Sequence, residues 1–324
     1  MLIIIISIVV LAFLLYKIKK KMCLLFNLVH ISNNCKDKLK YIDLLKKASK
    51  LNDSESMIKL ALIYQNGHGV IIRYDKSTKY FKKAISFNNS EAMIHLALMY
   101  QNGKGIPTDF DESINLLKMS VKLNNSDAMI HLALTYQKGI GIPTDYNKAI
   151  NLLEMSVKLN NSNAMVHLAM IYEKGTGIPI DYNEAIRLYE MSVQLNNSYG
   201  MVQLALMYRN GSGVDINYNK AEQLLKRAIR LKNSKGMITL AEMYVKFLIR
   251  RDFKVENNYK KAVKLYEKAI ELGDCEAMLN LSLIYKNGFG VRKYLDKYME
   301  LYDKYIDSRY SHMKNSDILK NIFM

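Results

Sequence analysis

Two sets of residues in this sequence are spaced so that they could do chemistry. The first is a glycine pair. The stretch QNGKGIPTD, residues 101–109, sets Gly103 and Gly105 behind a tyrosine-ended apolar run. A glycine-rich loop can wrap backbone N–H groups around a phosphate, but a P-loop also needs a preceding strand and a closing Gly-Lys-Ser/Thr. The second is a histidine row, His95, His131 and His167, spaced by 36 residues. Imidazoles are common zinc ligands and common general bases. The context turns both away from catalysis. The glycine pair recurs as Gly67/Gly69, Gly139/Gly141, Gly175/Gly177, Gly211/Gly213 and Gly288/Gly290, each time after a helical pattern and never before Gly-Lys-Ser/Thr. A nucleotide site is needed once, so these pairs read as turns. Histidines on neighbouring repeats stand on the order of 10 Å apart, whereas zinc needs its nitrogens at about 2.0–2.1 Å from one centre. Other copies put Lys59, Gln203, Thr239 and Asn280 at the same place, which marks a surface position. The row therefore reads as a polar ladder, either solvated or contacting a partner.

The rest of the chemical inventory is sparse. Cys23, Cys35 and Cys275 form no CxxC and no Cys/His cluster, and they read as reduced thiols. No singular Ser/His/Asp set or carboxylate pair stands out from the repeated copies. The expectation is a protein with no catalytic residues, no cofactor, no metal and no small-molecule substrate.

What positions these residues is an internal repeat. Met57, Met93, Met129, Met165, Met201 and Met237 are 36 residues apart, and Met278 follows after 41. A tyrosine stands seven residues after each: Tyr64, Tyr100, Tyr136, Tyr172, Tyr208, Tyr244 and Tyr285. Each copy reads as two helices. In the second copy, Ser90 is the expected N-cap. Ala92, Met93, Leu96, Ala97 and Tyr100 share one stripe, and Gly103 and Gly105 end the helix. Asp109 or Asp111 caps the next helix, whose expected apolar positions are Ile114, Leu117, Met119 and Val121. Small residues such as Ala92 and Ala97 let helices approach closely.

The pattern Leu-Ala-x-x-Tyr-x-x-Gly-x-Gly-Val/Ile, then Asp, Lys/Glu-Ala-Ile and a second helix, resembles the Sel1-like repeat, a relative of the tetratricopeptide repeat. The resemblance covers about residues 38–307. It implies an all-α fold, a right-handed α/α solenoid, and the role of a protein-binding adaptor with no shared catalytic residues. Two departures are regular. Ala61, Ala97, Ala133, Ala169, Ala205, Ala241 and Ser282 stand where the family has glycine, and asparagine mostly replaces the glycine that ends the second helix. The Ile/Asn/Lys-rich, nearly identical copies look like those of AT-rich genomes, including giant DNA viruses of amoebae.

The flanks add a membrane expectation. MLIIIISIVVLAFLLY carries no charged side chain before Lys17, and sixteen helical residues span about 24 Å. Lys17, Lys19, Lys20 and Lys21 follow, so residues 1–18 read as a signal anchor whose downstream domain stays on the cytosolic side. The net charge of +17 is unevenly spread. Residues 17–50 hold ten lysines against Asp37 and Asp43, and residues 201–271 hold fifteen basic and seven acidic side chains. Residues 90–200 hold eight basic and eleven acidic. A nucleic-acid binder presents one continuous basic face, so nucleic acid is not the expected partner. The sixth copy departs at VKFLIRRDFKVENN, where Phe247, Arg250 and Arg251 belong to a lengthened helix or a basic-apolar docking element. Asn52, Asn88, Asn124, Asn160 and Asn196 each begin N-x-S. They read as inter-repeat turns and caps, and as glycan acceptors if the domain is lumenal.

The expected organisation is an anchor at 1–18, a basic tether at 19–37 and a half-repeat helix at 38–53. Seven repeats then occupy 54–307, with starts near 54, 90, 126, 162, 198, 234 and 275, and a capping helix follows at 308–324. The expected function is a scaffold holding a protein or peptide at a membrane. Candidate contacts are Glu91, His95, Gln101, Asp127, His131, Gln137 and His167, together with Phe247, Arg250 and Arg251. The alternatives are a lumenal quality-control adaptor behind a cleaved signal peptide and, far behind, a hydrolase.

Overall fold

The computed structural model of the protein describes residues 38–246, 255–288 and 292–310. The anchor, the tether, Cys23 and Cys35, the insertion with Phe247, Arg250 and Arg251, and residues 311–324 of the capping segment lie outside these. Among the described residues all regular elements are helices, fifteen of them. They are α1 (Lys38–Lys50), α2 (Ser54–Asn66), α3 (Tyr74–Ile85), α4 (Ser90–Asn102), α5 (Phe110–Lys122), α6 (Ser126–Lys138) and α7 (Tyr146–Lys158). Then follow α8 (Ser162–Lys174), α9 (Tyr182–Gln194), α10 (Ser198–Asn210), α11 (Tyr218–Arg230), α12 (Ser234–Lys246), α13 (Val255–Glu271), α14 (Cys275–Asn287) and α15 (Leu295–Tyr310). The chain divides into two compact units at Asn161/Ser162, with α1–α7 in the first and α8–α15 in the second.

Within each unit the helices pack as tandem hairpins. The first helix of a repeat pairs with its own second helix, and that helix packs on the next first helix. First helices also touch each other, α4 with α6, α8 with α10 and α10 with α12. They thus form one layer and the second helices another. The first unit's core gathers Met57, Phe81, Ala97, Met93, Leu117 and Leu132, all buried, and α1 closes its beginning with Ile42 and Leu45 on Leu60 and Tyr64. The alanine row is fully enclosed, with Ala61, Ala97, Ala169, Ala205 and Ala241 at 0% exposure. Ser282 fits the same slot because its hydroxyl donates to the Leu279 carbonyl at 2.7 Å.

The two glycines of each turn have different duties. Gly103 is the left-handed cap of α4 at φ 62°, its N–H donating to the Met99 carbonyl. Gly141 is left-handed too, at φ 69°, and lies so close to Phe110, the first residue of α5, that a Cβ there would fall 2.8 Å from its Cγ. Gly105 has the same relation to Tyr74, and Gly213 to Tyr182. The first glycine ends a helix, and at Gly105, Gly141 and Gly213 the second lets the turn close over the aromatic that opens the preceding repeat's second helix, whereas Gly69 lies against the Lys38 side chain of α1.

The caps differ from the sequence expectation at one residue. Ser90 is not the N-cap but the first residue of α4. Asn89 caps it, its Oδ1 accepting from the N–H groups of Glu91 and Ala92. An asparagine here does more than a serine can, because its amide also donates backwards. Asn89 Nδ2 reaches Ser54 Oγ at 3.1 Å, Asn125 reaches Ser90 at 2.9 Å and Asn161 reaches Ser126 at 2.9 Å. In the second unit Asn197 reaches Ser162 and Asn233 reaches Ser198, both at 3.0 Å. The residue before each cap takes the left-handed conformation: Asn52, Asn88, Asn124, Asn160 and Asn196 at φ 55–61°, and Lys232 at 57°. Asn-Asn-Ser is therefore turn, double-ended cap and receiver in three successive residues. Asp109, not Asp111, caps α5. Met119 is a second correction. It is exposed, while Ser113, Leu116 and Ser120 are buried instead, because it lies roughly 130° around the helix from the buried set at ~100° per residue.

Candidate protein-docking face

The layer of first helices carries the candidate contacts. Glu91, His95, Leu98 and Asn102 follow one another at i, i+4, i+7 and i+11 and share one stripe of α4. Glu91 is exposed, and its carboxylate stands 3.7 Å from His95 Nε2. His95 is half-buried and stacks on Phe81 of α3, with ring centroids 5.4 Å apart. In α6, Asp127 is exposed and receives the Asn161 amide at 2.8 Å. His131 is half-buried beside it. Gln101 and Gln137 are half-buried near the ends of α4 and α6. They lie about 80° around from the stripe, in a parallel row. The first unit thus brings six of the predicted contacts onto adjacent helices. His167 is half-buried in α8, in the second unit.

The histidines are less solvated than the sequence suggested. Burial pushes the His131 pKa down from its usual value, Asp127 pulls it up, and His95 pushes it down further. A histidine whose folded pKa is depressed is neutral in the native state while the unfolded chain takes up a proton. Stability is then fully present above the unfolded value of about 6.5 and is lost as pH falls from there toward the folded pKa. The urea midpoint is expected to fall with acidification through that window, and His131→Gln is expected to flatten the profile. The two slopes measured side by side check this.

Sequence reasoning missed the apolar element of this face. Leu62, Leu98 and Leu134, one per repeat, are half-buried among the polar residues. Their signal was present as a leucine three residues beyond each Lys59, His95 and His131. In the second unit the same place holds Met170, Leu206, Glu242 and Leu283, the last 43% exposed. Glu242 stands 3.6 Å from Arg209, so within the second unit one charged residue interrupts an otherwise apolar row. Among the described residues no group of three or more His, Cys, Asp or Glu side chains is arranged to hold a metal ion. No described helix is long and apolar enough to cross a membrane.

The tyrosine of each copy positions the second helix beneath this face. Lys76 lies over Tyr64 at 5.1 Å, Lys148 over Tyr136 at 5.4 Å and Lys220 over Tyr208 at 5.0 Å. Lys261 over Tyr244 and Lys297 over Tyr285 repeat the contact. Tyr244 also donates its hydroxyl to Glu222 of α11, the second helix of the preceding repeat, at 2.8 Å. In the fourth repeat the roles exchange, the buried Tyr189 donating to Glu173 of the first helix at 2.7 Å. Burial and then the carboxylate push both tyrosine pKa values far up, keeping the phenols protonated.

The comparisons with known proteins agree with this architecture. The solved structure of a protective antigen of uropathogenic Escherichia coli, which displays the Sel1-like repeat fold, aligns over 82% of this chain with 24% identity and a TM-score of 0.57. The chain spans 56% of that antigen's length. A Sel1 repeat protein from Oxalobacter formigenes aligns over 70% of this chain and 94% of its own, with 26% identity and a TM-score of 0.61. Yeast Tom70 shares the fold alone, at 16% identity over 89% of this chain and 63% of its own, TM-score 0.50. No match was found among curated proteins. The Sel1 repeat profile matches residues 54–86, 90–125, 126–161, 162–197, 198–233, 250–274 and 275–297. Seven matched repeats on a tandem-hairpin fold make this chain a member of the Sel1 repeat family, whose proteins are generally protein-interaction scaffolds.

Proposed function

We propose that the protein is a non-enzymatic adaptor that holds a protein or peptide partner against its layer of first helices. The observation that carries this is the half-buried aliphatic row of Leu62, Leu98 and Leu134, edged by Glu91, His95, Asp127 and His131. Apolar anchors among polar side chains, preformed on rigid helices, lower the ordering cost of binding a segment. Residues 1–18 serve as the membrane anchor in this reading, with the repeats on the cytosolic side, as the lysines after the apolar run favour. A photo-crosslinking residue at Leu98 is expected to capture a defined partner in cells, and the same residue at Asn115 on α5 is not. Equal capture from both positions would remove the reading. Carbonate extraction tests the anchor. A glycan shift on the exposed Asn88 or Asn124 would reverse the orientation.

A further inference from the structure

The second unit carries a groove on the opposite layer that the adaptor face does not use. It lies between the second helices α9 and α11, above α10, with a volume of about 350 Å³. Its floor is apolar, made by Val193, Leu204 and Leu224 with the ring of Tyr208. Its walls carry Lys220 and Arg227, and Glu190 stands across from them. The volume is within the range of sites that take a ligand or a large side chain.

The 36-residue row here reads Lys83, Met119, Met155, Met191 and Arg227, and Lys268 holds the same place in the following copy. Beside Arg227, Leu224 is half-buried, as is the equivalent Leu152, whereas Leu116 and Leu188 are buried. The row is solvent-exposed, Met119 and Met155 being 37% and 38% exposed, and in this copy it adds to a collection of charge. Arg227 and Arg230 are exposed and take part in no ion pair among the described residues, and Lys232 follows at the end of α11. Lys220, with its ammonium over the Tyr208 ring, lines the same cavity. Against these four cations stands Glu190. Leu195 and Leu231, which end α9 and α11, are 47% and 50% exposed and extend the apolar floor outward.

We infer that this groove is a second docking site, and that its occupant is an acidic peptide segment carrying one bulky aliphatic or aromatic anchor. The anchor enters over Val193, Leu204 and Leu224. Flanking carboxylates pair with Arg227, Arg230 and Lys220, Arg227 in the two-pronged geometry that guanidinium and carboxylate share. Charge complementarity decides the class. The chain's own apolar N-terminal run is followed by lysines, which these cations repel. The recess between two helices suits a single inserted side chain better than the flat surface of a bilayer.

The test is an array of 12-residue peptides with a central Leu, Phe or Ala and zero to four flanking Glu or Lys residues, probed with the full-length protein. Binding is expected to rise with the number of Glu residues and to need Leu or Phe at the centre. Lys220→Glu/Arg227→Glu is expected to lose it at least tenfold. Arg227→Met, which installs the residue of the three preceding copies, is expected to lose it severalfold with unchanged helical circular dichroism. Binding indifferent to peptide charge, or unaltered in Arg227→Glu, overturns the proposal. So does binding only to vesicles of phosphatidylcholine with 30% phosphatidylserine. Glu91→Lys/Leu98→Glu is expected to leave peptide binding here unchanged, so this site and the adaptor face fail or stand separately.

Discussion

Gly141→Ala is expected to destabilise the first unit by about 3 kcal/mol, although it adds one methyl group to an exposed turn. Two costs combine. A non-glycine residue at φ 69° costs about 1–2 kcal/mol. Forcing atoms into occupied space costs about 1–3 kcal/mol, and here the space belongs to Phe110 at its Cβ and Cγ. Those atoms lie at the root of the side chain, so no rotamer change removes them and α5 itself must shift. Asparagine separates the two terms, since it tolerates the left-handed conformation but still carries a Cβ. Gly103→Asn, where the new Cβ meets the Thr108 hydroxyl at 2.7 Å, is expected to cost under about 1 kcal/mol, because that hydroxyl can rotate away. Gly141→Asn is expected to keep the steric part, about 1–3 kcal/mol, and so to cost less than Gly141→Ala but more than Gly103→Asn. Urea midpoints of the three variants measure the difference, and hydrogen exchange should show the loss concentrated at the junction of α5 and α6. Equal, small losses in all three would mean that the turn closes over Phe110 without constraint.

Asn125→Ala is expected to cost about 2 kcal/mol, more than a helix cap alone. The cap contributes about 1 kcal/mol through the acceptors it offers to Asp127 and Ala128. The backward bond from its amide to Ser90 Oγ contributes about another. Asn125→Asp distinguishes the two ends of the residue. A carboxylate caps at least as well beside a helix N-terminus but cannot donate, so this variant keeps the inter-repeat bond only through a Ser90 hydroxyl that turns to donate. The ends of the ladder behave as this account requires. Asp53, at the first position, accepts from the Ser56 N–H and hydroxyl. Asp274 meets a serine that turns round to donate, Ser234 Oγ to Asp274 Oδ2 at 2.7 Å. A double-mutant cycle of Asn125→Ala with Ser90→Ala should give a coupling of about 1 kcal/mol. A coupling near zero, with both single variants as stable as the parent, would show that the ladder is geometry without energy.

The 36-residue period, the two helices per copy and the family were legible in the sequence, because each rests on local information repeated many times. Gly103 ends a helix wherever it stands after a periodic apolar run. Ala97 occupies the small slot in every copy but one, and Asp109 precedes the second helix with the residue type a cap needs. Ser90 and Met119 were misread for a common reason. A cap and an apolar position one residue out of phase look alike from one helix, and only the contacts of neighbouring helices separate them. The same holds for the docking face. Glu91, His95, Asp127 and His131 were legible as recurring polar positions. Leu98 was not, since a leucine on an amphipathic helix is read as core until packing leaves part of it uncovered.

The sequence by itself determined that this chain is a tandem array of helix pairs of the Sel1 repeat family. The tertiary structure alone decided why each motif has the letters it has. At Gly105, Gly141 and Gly213 the second glycine of the pair answers to an aromatic of the preceding repeat, the capping asparagine to a serine 35 residues earlier, and Arg227 lines a groove between α9 and α11. Propensity, periodicity and capping act within a few residues along one chain segment and can be read there. Close approach, a shared hydrogen bond and an uncovered apolar floor belong to pairs of segments, and they exist only once the repeats are stacked.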